Sequence, residues 1–231
     1  MPMAVQNLIN VGVTSTDVIM LGKVGETALS GVSLANQIYF ILSLLYFGLT
    51  SGACVLTAQY WGKKDTRTIE KVMGMSFRIS ILAGIVFAAA AFFFPYQLMR
   101  IFTADEAVIA AGVSYLKIVA FSYVLSAFTN VYLNIIRSIE QVVIATVVYG
   151  TSLAANIVLN AIFIFGLFGA PAMGAAGAAL GTLCSRAVEV VIVVFYAVKI
   201  NHVVKIRFKD WFVKDKALSK DFFTYALPVL L

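Results

Sequence analysis

Charge is scarce in this chain: Asp, Glu, Lys and Arg make up 12% of its 231 residues, where a soluble domain carries about a quarter. Histidine is nearly absent, with His202 alone, and the two cysteines, Cys54 and Cys184, both sit in apolar stretches. These shortages exclude a disulfide scaffold and a His/Cys metal site, and they leave the cysteines as small hydrophobes. Met1-Pro2-Met3-Ala4 lacks the basic n-region of a signal peptide. There is no Gly-x-Ser-x-Gly elbow, no His-Glu-x-x-His and no phosphate loop. Carboxylates pair only in a connector, where Asp105 and Glu106 follow Thr103 and suit helix capping. An enzyme is not expected, and neither is a resident cofactor or metal.

What the chain has instead is apolar surface. Hydrophobic residues make up 61% of it and the mean hydropathy is +0.96. At about 20 apolar residues per span there is room for six or seven membrane helices, so the expected class is an all-α, polytopic membrane protein. Spans are expected at about Met1–Leu21, Thr27–Trp61, Ile69–Phe94, Ala107–Ile136, Val142–Phe165 and Gly174–Lys199, with a seventh starting near Ser219. This predicts a six-helix lobe over 1–200, a linker over 201–218 and the start of a second lobe over 219–231. The second span exceeds a ~30 Å hydrocarbon layer, so it should tilt or project. Gly48 and Gly52 in its interior suit a packing contact or slight bend.

The net charge of +6 reflects orientation in a membrane and gives no reason to expect nucleic acid as a partner. On one side lie Lys63, Lys64, Arg67, Lys71, Arg137, Lys199, Lys205, Arg207, Lys209, Lys214, Lys216 and Lys220; on the other lie Lys23 and Arg100. Twelve against two places the N-terminus in the cytoplasm. The linker mixes Val203, Val204, Ile206, Phe208, Trp211, Phe212 and Val213 with lysines, a composition suited to an interfacial segment with Trp211 at headgroup depth. A faint repeat relates Met1-Pro2-Met3-Ala4-Val5 to Leu227-Pro228-Val229-Leu230-Leu231, as if a second six-helix unit restarts there.

Ionisable groups inside spans are costly and mark function by default. Asp17 leads, on a first span unusually polar for lipid; Asn10, Thr14 and Asp17 share one helical face, with Gln6 a turn earlier. Asn156 and Asn160 form an i, i+4 pair on the fifth span at the depth of Asp17, and carboxamides can accept from a protonated aspartate, donate to an ionised one or ligate a cation. Arg186 and Glu189, i, i+3 on the sixth span, can neutralise each other, and Arg78 and Lys117 can snorkel. The run Gly174–Thr182 is rich in small residues and permits close backbone approach.

Several segments in fixed order resemble the multidrug and toxic compound extrusion (MATE) transporters. They are Thr16-Asp17-Val18-Ile19-Met20-Leu21-Gly22-Lys23-Val24-Gly25, Thr57-Ala58-Gln59-Tyr60-Trp61-Gly62-Lys63-Lys64-Asp65, Asn134-Ile135-Ile136-Arg137-Ser138, Asn156-Ile157-Val158-Leu159-Asn160, and Gly169-Ala170-Pro171-Ala172-Met173-Gly174-Ala175-Ala176-Gly177-Ala178-Ala179. The resemblance implies a plasma-membrane exporter of two six-helix lobes that exchanges Na⁺ or H⁺ for cationic or amphipathic compounds. This chain would supply the N-terminal lobe, with the C-terminal lobe in cis or on a separate chain. It also implies that Asp17 is protonated or binds cation near Asn156, with Asn160 where some members carry a second aspartate, which weakens a Na⁺ site here. A substrate cavity would draw on Gln6, Asn10, Thr14, Ala178 and Thr182. A lipid-linked saccharide flippase of related architecture, or a non-transporting membrane subunit, are the alternatives.

Overall fold

A computed structural model describes residues 17–207, Trp211 and 215–230. Gln6, Asn10 and Thr14, and the first half of the Met1–Val5 repeat, lie outside the described residues. Every regular element among the described residues is helical. Helix α1 covers 17–24. It is followed by α2 (Glu26–Gly62), α3 (Thr66–Phe93), α4 (Pro95–Phe102), α5 (Glu106–Ser138), α6 (Val143–Phe165), α7 (Ala175–Lys199) and α8 (Lys216–Leu230). Helices α2, α3, α5, α6 and α7 are long and apolar enough to cross a membrane. Each lies within a few residues of its expected span. With 37 residues, α2 is ~55 Å long, longer than a ~30 Å hydrocarbon layer.

The helix ends follow local chemistry. The Asp65 carboxylate caps α3, accepting the Thr68 amide at 3.0 Å and the Thr68 hydroxyl at 2.6 Å. These bonds hold its carboxyl below the usual carboxylate range. Asp105 caps α5 through the amides of Ala107 and Val108, as the sequence suggests. Helix α6 stops at Gly166, whose φ of 74° is left-handed and favours glycine.

Helix α5 is the centre of the bundle and packs against α2, α3, α4, α6 and α7. Two buried clusters stack along it. One gathers Leu56, Ile69, Phe77, Tyr132, Val193 and Phe222; the other gathers Leu21, Leu42, Tyr46, Met99, Tyr115 and Ile164. Outside them the surface is apolar, with Phe47, Phe93 and Val143 each more than 60% exposed. A lipid-facing exterior needs this, because hydrocarbon is as apolar as the core.

Two features go beyond the sequence-based expectation. The connector after the third span holds the short helix α4, with Pro95 at its first turn and Met99 fully buried against Gly112. The linker is docked on the lobe. Asn201 donates to the Tyr132 hydroxyl at 3.0 Å and accepts the amides of Val203 and Val204, and Val204 is fully buried. The buried Glu70 carboxylate accepts the Lys205 amide at 3.0 Å and pairs with Arg67 at 2.8 Å and Arg207 at 3.2 Å. Trp211 stacks on Phe77, with ring centroids 5.2 Å apart. Helix α8 lies against α2 and α3. Its Ala226 presses on Gly52, where an added Cβ would approach within 2.8 Å, so the packing role expected of that glycine is met.

Candidate functional site

The last turns of α6 bring two carboxamides to the end of α1. Asn160 Nδ2 donates to Asp17 Oδ1 at 2.5 Å and to Asn156 Oδ1 at 3.2 Å. The i, i+4 spacing puts both amides on one face of α6, and the apolar helix around them leaves few competing partners. Asn160 is fully buried. Among the described residues its Oδ1 has no hydrogen-bond partner, and it faces Gly181 of α7, where an added Cβ would collide with it. The small-residue run of α7 is therefore what lets Asn160 reach Asp17.

Asp17 and Asn156 line a cavity of about 670 Å³ between α1, α2, α5, α6 and α7. Thr182 also lines it, as expected. Ala178 does not: it is buried in the hydrophobic cluster that holds Leu21, Tyr46 and Tyr115, because its side of α7 faces neighbouring helices. Arg78 and Lys117 are exposed on the outside of the bundle and do not line this cavity.

Several lining residues escaped the sequence reading. Asn36 accepts from the Tyr115 hydroxyl at 3.0 Å, and Tyr39, Tyr149, Ser152 and Asn130 complete the polar wall. Tyrosine and serine are too common in spans to stand out, and only tertiary packing decides which face the cavity. Arg186 and Glu189 form the expected pair at 2.8 Å, and they too line this cavity. Glu189 accepts further bonds from Ser152 at 2.7 Å and Thr129 at 3.3 Å. The wall thus carries two carboxylates and one guanidinium. Among the described residues, no cluster of three His, Cys, Asp or Glu could hold a metal ion.

The chain is 25% identical over 178 residues to the probable multidrug resistance protein YoeA of Bacillus subtilis, covering 77% of this chain and 38% of YoeA. It is 27% identical over 189 residues to the probable multidrug resistance protein NorM of Thermotoga maritima, covering 80% of this chain and 40% of NorM. Among solved structures, a MATE protein in the straight conformation superposes with TM-score 0.84 at 26% identity, over 99% of this chain and 49% of that one. An outward-facing multidrug resistance MATE transporter superposes with TM-score 0.88 at 24% identity, over 99% and 50%. The chain spans about two fifths of the length of these curated relatives and half that of the solved chains. The MatE family model matches residues 2–162, and on that match this multi-pass membrane chain belongs to the MatE family.

Proposed function

We propose that this chain forms the N-terminal lobe of a cation-coupled antiporter that exports cationic or amphipathic compounds across the plasma membrane, its N-terminus in the cytoplasm. A second lobe, in cis or on a separate chain, completes the cavity. The observation that carries this reading is the Asp17–Asn160–Asn156 chain of hydrogen bonds at the wall of a 670 Å³ cavity. An ionised Asp17 can only accept hydrogen bonds, whereas a protonated Asp17 keeps one acceptor and gains an O–H donor, so gain or loss of one proton changes the set of bonds it can make with its neighbours. The end of α1 moves with it, which links proton uptake to the shape of the cavity.

At the Asp17 end of the cavity a single carboxylate flanked by two carboxamides makes a weaker cage for Na⁺ than two carboxylates would, which favours H⁺ as the coupling ion. The charge of the cavity supports cationic cargo, since two carboxylates outnumber one guanidinium. A flippase handling pyrophosphate would need the reverse balance, yet Arg78 and Lys117 lie outside the cavity and Arg186 is neutralised by Glu189. In cells exporting an ethidium-like dye, Asp17→Asn in the two-lobe transporter should abolish efflux driven by a pH gradient, while the amount of protein in the membrane is unchanged. Efflux at the wild-type rate in that variant overturns the role of Asp17.

A further inference from the structure

The cavity has a second charged wall that the Asp17 hydrogen-bond chain does not use. Arg186 Nη1 lies 2.8 and 3.1 Å from the two oxygens of Glu189. Glu189 is 1% exposed and would stay in place without the arginine, since Ser152 and Thr129 hold its oxygens from α6 and α5. Arg186 is held differently. Its side chain is 26% exposed, it opens onto the cavity, and its guanidinium lies over the Tyr39 ring at 6.0 Å. The Asp17 carboxylate lines the same cavity.

A lipophilic cation entering this cavity would seek the features Arg186 already occupies: an aromatic face and the field of two carboxylates. Like charges in a low-dielectric cavity repel strongly, so such a cation binds against the arginine. Stability alone does not explain the pair, because buried ion pairs replaced by matched apolar residues commonly leave a protein as stable or more so.

We propose that Arg186 is a resident, tethered cation of the cavity that competes with a cationic ligand for the Tyr39 face and the field of Asp17 and Glu189, so that its charge sets the affinity for cations. This deepens, and rests on, the reading of the cavity as a cation site. Arg186 weakens ground-state binding enough for the cargo to be released, and it keeps Glu189 from remaining as an uncompensated charge in the empty cavity.

The test is equilibrium binding of tetraphenylphosphonium to the purified transporter that contains this chain, measured by calorimetry. Arg186→Gln keeps an amide donor for Glu189 and removes the charge; it should bind at least ten times more tightly than wild type. Arg186→Lys keeps the charge and should bind within about threefold of wild type. Glu189→Gln, which removes a carboxylate and frees the arginine, should bind about ten times more weakly, and it supplies the decision if Arg186→Gln does not fold. Unchanged affinity in folded Arg186→Gln overturns the inference while leaving the cation site standing; unchanged affinity in Glu189→Gln overturns the inference together with the argument from two carboxylates. Equal tightening in Arg186→Lys and Arg186→Gln means that space rather than charge limits binding, and it overturns the inference too. No binding by any form, wild type included, overturns both this inference and the cation-site reading.

Discussion

At the scale of single residues, the site depends on one absent methyl group. Gly181 leaves room for the Asn160 carboxamide, and an added Cβ would collide with its oxygen. Gly181→Ala should therefore push Asn160 away from Asp17 and reduce coupled efflux at least tenfold, since displacements near 1 Å can cost about 100-fold. Gly150→Ala on α6, where nothing lies within 4 Å of an added Cβ, should leave efflux unchanged; comparing initial dye-efflux rates at matched protein levels checks both. Asp17, Asn156 and Asn160 were legible in the sequence because polar residues stand out in so apolar a chain and because spacing fixes which share a helical face. The pairing of Arg186 with Glu189 was legible for the same reason. Their position in the cavity was not, because i, i+3 spacing says which residues meet on a helix and nothing about which neighbour that face meets.

At the scale of elements, long apolar runs gave five helices within a few residues of expectation, since burying unpaired backbone in hydrocarbon leaves a membrane span little alternative to helix. Short or polar segments were harder. Helix α4 has eight residues, too few for a periodic pattern to register. The linker's docking depends on Glu70, 135 positions from Lys205 in sequence. Glu70→Ala removes the acceptor for the Lys205 amide and both ion pairs. Because it breaks a buried charged cluster, tryptic cleavage after Lys205 and Arg207 in detergent should become several-fold faster. Glu70→Gln, which keeps one acceptor, should fall between the two. Equal cleavage rates in all three forms would show that Val204 and Trp211 hold the linker unaided.

At the scale of the whole molecule, the lysine and arginine bias and the docked linker make one prediction about sidedness. An impermeant maleimide added to intact cells should label Met173→Cys, in the connector before α7, and should label Lys63→Cys, after α2, only once the cells are opened. These variants belong in a background with Cys54 and Cys184 replaced. The reverse pattern would invert the assigned topology. Helix α5 contributes to both buried clusters and also bears Tyr115 and Thr129, partners of Asn36 and Glu189. In mechanical terms it is a strut running the full height of the lobe. The linker grips that strut at Tyr132, one turn from Thr129, the partner of Glu189, so a push on the linker should be felt first at that carboxylate.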